Sequence, residues 1–186
     1  MEPELADLLR AVELQSRMHG GTPRIAREAG QFLNILVKAS NVKNLLEVGV
    51  VDGYATLWLA EAASVTGGCI TGIEDDVWQY DSAKDLLDRS PHASRIRLLQ
   101  GEIMELLPVL EGPFDFVLLD ANKGEMLHYL HILIEQISSG GLICCDKAMS
   151  HAPALVDYLT FVHERPGLES VLVPIGEGIE VTYKSP

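Results

Sequence analysis

No G-x-G-x-x-G run occurs in this chain, and no G-x-x-x-x-G-K-[ST] loop. The first absence speaks against a nicotinamide-type dinucleotide site, the second against a nucleoside-triphosphate cradle. Long apolar runs are missing too. None approaches the roughly 20 residues that span a bilayer, and the first residues, Met1-Glu2-Pro3-Glu4, are acidic where a secretory leader would be basic and then apolar. Neither a membrane partner nor a cleaved leader is expected. Basic residues are scarce: 14 Lys and Arg stand against 27 Asp and Glu, a formal net charge of −13. Nucleic acids and anionic membranes select a basic face, so neither is an expected partner. Only three cysteines are present, Cys69, Cys144 and Cys145, with no C-x-x-C pair. All three fall in apolar runs and read as buried free thiols of a cytoplasmic protein.

What the chain does have is alternation. Its 186 residues, 47% of them hydrophobic, suffice for one domain with a full core. Strand-like apolar runs lie near 44–50, 69–74, 95–100, 114–120, 141–146, 170–175 and 179–184, with helical periodicity near 54–65, 77–89, 103–110, 125–138 and 152–164. The near-continuous apolar runs at 114–120 and 141–146 suit central parallel strands covered on both faces. Repeated strand–helix units with right-handed crossovers predict an α/β, Rossmann-like, seven-stranded and mostly parallel sheet with helices on both faces. Only Gly176, Glu177 and Gly178 separate the last two runs, which leaves room for an antiparallel hairpin and none for a crossover. Residues 1–43 read as a helical cap, broken at Thr22 and Pro23.

The most telling stretch is 45–54, Leu-Leu-Glu-Val-Gly-Val-Val-Asp-Gly-Tyr. A strand ends, a turn with two glycines follows, and a helix opens. Such a turn lets backbone approach a ligand closely. In open α/β sheets ligands bind beyond the carboxyl ends of the strands, and acidic residues collect there: Glu47, Glu74, Asp120 and Asp146, with Gly101-Glu102 after the third strand. The glycine spacing, Gly49 then Gly53, offers no three-glycine pyrophosphate cradle, and carboxylates repel phosphate. A cationic cofactor fits better. S-adenosylmethionine carries an ammonium and a sulfonium, for which Glu47 is suited, and a ribose diol, for which Glu74 is suited.

These residues resemble the cation-dependent class I O-methyltransferases, the family of catechol and caffeoyl-CoA O-methyltransferases. The similarity runs from about Glu28 to the end. It takes in Glu28-Ala29-Gly30-Gln31-Phe32-Leu33, then Leu46-Glu47-Val48-Gly49 with Gly53-Tyr54. Ile73-Glu74, Gly101-Glu102, Asp120-Ala121-Asn122-Lys123, Gly140-Gly141-Leu142-Ile143 before Asp146, and Gly176-Glu177-Gly178-Ile179 follow. The resemblance implies methyl transfer from S-adenosylmethionine to a hydroxyl of a small aromatic or catechol-like acceptor. Glu47, Gly49, Gly53, Tyr54, Glu74, Asp75, Glu102, Ile103 and Asp120 would then line the cofactor pocket. It also implies a divalent cation, commonly magnesium, on Asp120, Asp146 and the residue after Asp146, with Lys123 as general base. Around the reacting oxygen it places Asp120, Lys123, Asp146 and Lys147. A homodimer is expected.

The chain departs from that pattern at position 147, where lysine replaces asparagine. Magnesium takes oxygen ligands and an ammonium has none. Either the metal site is weakened or Lys147 replaces the cation, stabilising a substrate oxyanion or acting as a base of depressed pKa. Ala55 stands where the family often has a serine, and the short segment after Asp146 leaves the acceptor side open or closed by a second subunit. His128 and His131 have helical spacing and read as surface residues; His151, closer to the expected site, reads as an ordinary loop histidine before a substrate-side acid or base; Trp78 packs beside adenine or elsewhere; Met104 and Met126 read as packing residues. Three rival readings stand beside the O-methyltransferase: an RNA-modifying enzyme of the same fold, a non-catalytic cofactor-binding protein, and a nucleotide-dependent oxidoreductase.

Overall fold

The computed structural model describes residues 2–18 and 24–186. Thr22 and Pro23, read as the break between the first two helices, lie outside the described residues. Two helices, α1 (Pro3–Met18) and α2 (Arg27–Ser40), precede the first strand. Then β1 (Asn44–Val48), α3 (Tyr54–Thr66), β2 (Cys69–Glu74), α4 (Val77–Leu87), β3 (Ile96–Gln100) and the single-turn α5 (Ile103–Leu106) alternate. After them come β4 (Phe114–Leu119), α6 (Met126–Leu133), β5 (Ile137–Asp146), α7 (Val156–Glu164), β6 (Leu168–Val173) and β7 (Ile179–Lys184).

The seven strands form one sheet in the order β3-β2-β1-β4-β5-β7-β6. The first five neighbours are parallel, and β7 runs antiparallel to both β5 and β6. This is the predicted architecture, hairpin included. The chain winds outward from β1 to β3, then returns to lay β4 on the other side of β1. The point where the winding reverses therefore lies between β1 and β4.

Side-chain alternation divides the core. Leu45, Phe116, Leu118 and Cys144 face α1, α2, α3 and α4, whereas Leu46, Val48, Val117, Leu119, Ile143 and Cys145 face α5, α6 and α7. Helix α3 is buried nearly all round from Tyr54 to Ala63, because α2 covers the side turned away from the sheet. A helix apolar on every side needs such a second layer. Between α2 and α3, the Asn34 amide donates to Trp58 O and to Glu61, and Lys38 Nζ closes on Glu61 at 2.6 Å. Helix α3 ends at Gly67, whose φ of 79° suits the left-handed cap.

Several boundaries differ from the sequence expectation. The helix expected over 125–138 is α-helical only to Leu133, and β5 already begins at Ile137, paired with Phe114. Lys184 Nζ, arriving on β7, donates to the carbonyls of Ile134 and Ile137 at 2.7 and 2.8 Å, satisfying backbone oxygens that a longer helix would have used itself. The helix expected over 103–110 stops at Leu106, ahead of Pro108. Cys69 is exposed, contrary to expectation, because it opens β2 at the outer end of the sheet. Cys144 and Cys145 are buried, and burial pushes the Cys145 thiol up to about 12.

Gly30 in α2 lies flat against the indole of Trp58; a β-carbon there would overlap the ring. We expect Gly30→Ala to destabilise the protein by about 1–3 kcal/mol despite alanine's better helix propensity, as a lowered urea midpoint at unchanged slope.

Candidate active site

Where the winding reverses, the backbone of the glycine turn meets the end of β4. Gly49 has a φ of 88°, and a β-carbon on it would stand 2.7 Å from the Asp120 carbonyl oxygen. Only glycine fits. The Asp120 N–H donates to Val48 O at 2.9 Å, and the Gly49 and Val50 N–H groups both donate to Ile73 O. A turn then closes from the Gly53 N–H to Val50 O at 3.0 Å. Inside it Val51 is left-handed, with φ 57°, an unfavourable region for a β-branched residue. Glu74 compensates: its Oε2 accepts the Val51 N–H at 2.7 Å and its Oε1 the Asp76 N–H at 3.0 Å. Glu74 is buried, and burial pushes its carboxyl up against those two donors.

Glu47 does not open onto solvent as its position at a strand end suggested; it is fully buried. It shares a face with Leu45, and that face is covered by α3. Thr56 Oγ1 donates to its Oε2 at 2.6 Å, while Oε1 has no partner. Burial pushes this carboxyl well above the usual range, and the charges of Asp120, Asp52 and Glu74 add to the effect. An unpartnered buried carboxylate oxygen beside a turn that admits no side chain matches a cationic ligand group. The residues present thus fit the ammonium of S-adenosylmethionine.

At the ends of β4 and β5 lies a compact ion cluster. Lys147 Nζ donates to Asp120 Oδ1 and Oδ2 at 2.8 and 3.0 Å and to Asp146 Oδ2 at 2.8 Å. Lys123 Nζ donates to Asp120 Oδ1 at 2.8 Å. Lys147 is itself left-handed, with φ 63°. Although burial works against the ammonium, Asp120 and Asp146 outweigh it and raise its pKa. The expectation of a depressed pKa for Lys147 is therefore corrected: two carboxylates hold its proton. The Asp146 carboxyl is raised, by burial first and by Asp120 second.

A divalent cation does not fit this arrangement. The Lys147 ammonium sits between the two carboxylates that would ligate a cation and is bonded to both, one N–H shared by the two Asp120 oxygens and another on Asp146. Among the described residues no group of three or more His, Cys, Asp or Glu side chains is placed to hold a metal.

Beside the cluster opens a cavity of about 490 Å³, lined by Arg24, Val51, Asp120, Ala121, Lys123, Lys147, His151 and Glu177. Asp75 and Glu102 are exposed just past β2 and β3, and Ile103 is buried in the second core. Tyr54 brings only its backbone to the turn, where its N–H donates to Asp52 Oδ1 at 3.0 Å. Its side chain, expected in the pocket, is buried against Trp58, with the hydroxyl donating to Glu13 Oε1 at 2.6 Å. Trp78 is 84% exposed. His128 pairs with Glu125 at 2.8 Å and the His131 ring packs edge-on against Phe161, so the two do not converge. Met126 is core, but Met104 is exposed.

Thr56, Val51, Arg24 and Glu177 were not anticipated. Thr56 carried a signal, an aliphatic hydroxyl in the mostly apolar first half of α3. Arg24 and Glu177 carried none, since they lie far from the motif and reach the cavity only through the fold.

A doubly wound sheet with a glycine turn, buried carboxylates and no phosphate cradle at its reversal point defines the class I methyltransferases. Comparison with known proteins agrees. The O-methyltransferase family model matches residues 2–185. A catechol O-methyltransferase of Mycobacterium tuberculosis is 30% identical over 92% of this chain and 82% of its own length. Caffeoyl-CoA O-methyltransferase 1 of Eucalyptus globulus is 29% identical over 96% of this chain and 80% of its own. The cofactor-bound crystal structure of Rv0187 from MTB superposes with a TM-score of 0.84 at 28% identity, covering 99% of this chain and 90% of that one. The chain belongs to this O-methyltransferase family, whose chemistry is methyl transfer from S-adenosylmethionine to oxygen.

The state of Glu47 gives a test. A carboxyl raised by folding contributes stability at low pH that is lost as pH rises through its folded value. Glu47→Gln removes that loss, so the ligand-free variant should melt about 2–4 °C higher than wild type at pH 8, with the gain shrinking toward pH 4. It should also bind S-adenosylhomocysteine at least tenfold more weakly by calorimetry.

Proposed function

We propose that this enzyme methylates a phenolic hydroxyl of a small, catechol-like aromatic without a divalent cation, Lys147 standing in the cation's place. The observation that carries this is the Lys147 ammonium bonded to Asp120 and Asp146 together. The names of the relatives, catechol and caffeoyl-CoA O-methyltransferases, support a hydroxylated aromatic acceptor, and the cavity beside Asp120 is of a size for one.

In this reading Glu47 holds the cofactor's ammonium, Gly49 and Gly53 with the Tyr54 backbone give its methionyl end room, and Glu74 takes the ribose hydroxyls. Asp75, Glu102 and Ile103 border the adenine. Bound there, S-adenosylmethionine supplies an electrophilic methyl group. The Lys147 ammonium is bonded to both carboxylates. It cancels the charges of Asp120 and Asp146 and fixes the Asp120 carboxylate. Lys123 spends one N–H on Asp120 and keeps two, enough to hold an acceptor oxygen as it becomes negative. Most of the remaining catalysis is alignment of that oxygen with the methyl carbon.

The acidic balance favours an acceptor other than nucleic acid. No described helix is long and apolar enough to cross a membrane, and a cytoplasmic setting suits the unpaired cysteines. A homodimer suits the edge strand β6, where Val171 and Leu172 are exposed. We read the chain as one domain with residues 1–43 as its cap.

Two measurements check this reading. Wild type should bind S-adenosylhomocysteine by calorimetry equally well in magnesium and in EDTA, and turnover of a catechol should survive EDTA; absence of S-adenosylhomocysteine binding would refute it. Lys147→Asn keeps a residue that tolerates φ near 60° but leaves two carboxylates facing each other. Losing about 3 kcal/mol would lower its melting temperature by roughly 6–12 °C at pH 8. The loss should shrink as pH falls, because the Asp146 carboxyl, raised by burial, takes up a proton more readily than an ordinary carboxylate, and magnesium should restore part of it in the variant only.

A further inference from the structure

Lys123 and Lys147 both donate to Asp120 as ammonium groups, so the proton leaving the acceptor hydroxyl needs another destination. Few groups around the cavity can accept one. Arg24 and the two lysines offer only donors. Asp120 receives two ammonium contacts on Oδ1 and one on Oδ2. Among the described residues that leaves the exposed carboxylate of Glu177 and the imidazole of His151.

The fold sets His151 in place through the residue that replaces the cation. After Asp146 the left-handed Lys147 turns the chain back, and the His151 N–H donates to Lys147 O at 2.9 Å. The same turn is tied to the β6–β7 connection, where the Met149 and Ser150 N–H groups donate to Glu177 O at 3.0 and 3.2 Å. The imidazole Nδ1 lies 2.8 Å from Ser150 Oγ, and Nε2 meets no hydrogen-bond partner among the described residues. In the tautomer whose Nδ1–H donates to Ser150 Oγ, Nε2 carries the free lone pair, the arrangement of a base held by an orienting group. Other charges near this turn are accounted for: Glu125, in the packed 123–125 turn, is paired with His128.

We propose that His151 is the general base of this enzyme, an assignment that rests on the methyltransferase reading above. The acceptor's O–H bond breaks toward His151 Nε2. The oxygen's electron pair forms the new bond to the methyl carbon, the carbon–sulfur bond breaks with its pair on sulfur, and the imidazolium loses its proton to solvent on its exposed side. Imidazole suits this task near neutral pH far better than the Glu177 carboxylate does. Because a single base and a single ammonium serve one oxygen, the acceptor needs one ionisable hydroxyl and not a chelating pair.

4-Nitrocatechol and 4-nitrophenol are suitable probes, since their ionisation is visible by absorbance. In His151→Asn, kcat should fall about 100-fold with KM within threefold of wild type. The acid limb of the pH–kcat profile should vanish, and S-adenosylhomocysteine affinity should be unchanged. In the complex with S-adenosylhomocysteine, bound nitrocatechol should be more ionised in wild type than in the variant at pH 6.5. In Glu177→Gln, which also alters the cavity lining, the acid limb of the pH–kcat profile should persist. The assignment is overturned if His151→Asn turns over normally, if Glu177→Gln carries the loss, or if a protein that binds S-adenosylhomocysteine neither ionises nor methylates either probe. Loss of S-adenosylhomocysteine binding in wild type would instead strike at the methyltransferase reading itself.

Discussion

The approach of Gly49 to the carbonyl of Asp120 is the constraint on which the site depends. It brings the first and fourth strands together at the one place where the sheet reverses its winding, with no side chain between the two backbones. From that contact the glycine turn faces one way, toward Glu47 and Glu74, and the Asp120 carboxylate faces the other, toward Lys123 and Lys147. Cofactor half and acceptor half are thus joined through backbone, which does not move with rotamer changes. A β-carbon at this position would pry the halves apart, and the reacting atoms are meant to be only a few ångströms from one another.

Gathering carboxylates at the strand ends creates an electrostatic problem, and the structure solves it differently for each. Glu74 receives two backbone N–H groups, one from a strained valine. Asp146 receives an ammonium. Glu47 receives one hydroxyl and is left with a bare oxygen. An unmet buried acceptor is costly, so the ligand-free protein holds a destabilised carboxyl where a cationic ligand group would restore the balance. Binding energy and folding energy are coupled at this residue.

A lysine in a cation's place changes what the cluster offers. A metal ion takes several oxygens at once and leaves positions open to substrate. An ammonium offers no such open positions, and here it is bonded to both carboxylates. In the proposed reading, holding the acceptor falls to Lys123 and deprotonating it to His151.

Much of this was legible in the chain itself. Apolar runs and their spacing determined the seven strands, the hairpin and the glycine turn, because periodicity and glycine tolerance are local properties. The clustering of acids at strand ends and the lysine at 147 were equally plain. Helix lengths near Pro108 and Ile137 were not, since Lys184, nearly fifty residues on, supplies the bonds that let β5 begin early. Nor was the burial of Glu47 or the withdrawal of Tyr54 into the core. A residue's type says that it can meet a ligand, but exposure depends on which helix comes to lie over it. That Lys147 bridges Asp120 and Asp146, and that Arg24, His151 and Glu177 share one cavity with Asp120, are consequences of chain crossings between distant segments, and only the tertiary structure decided them.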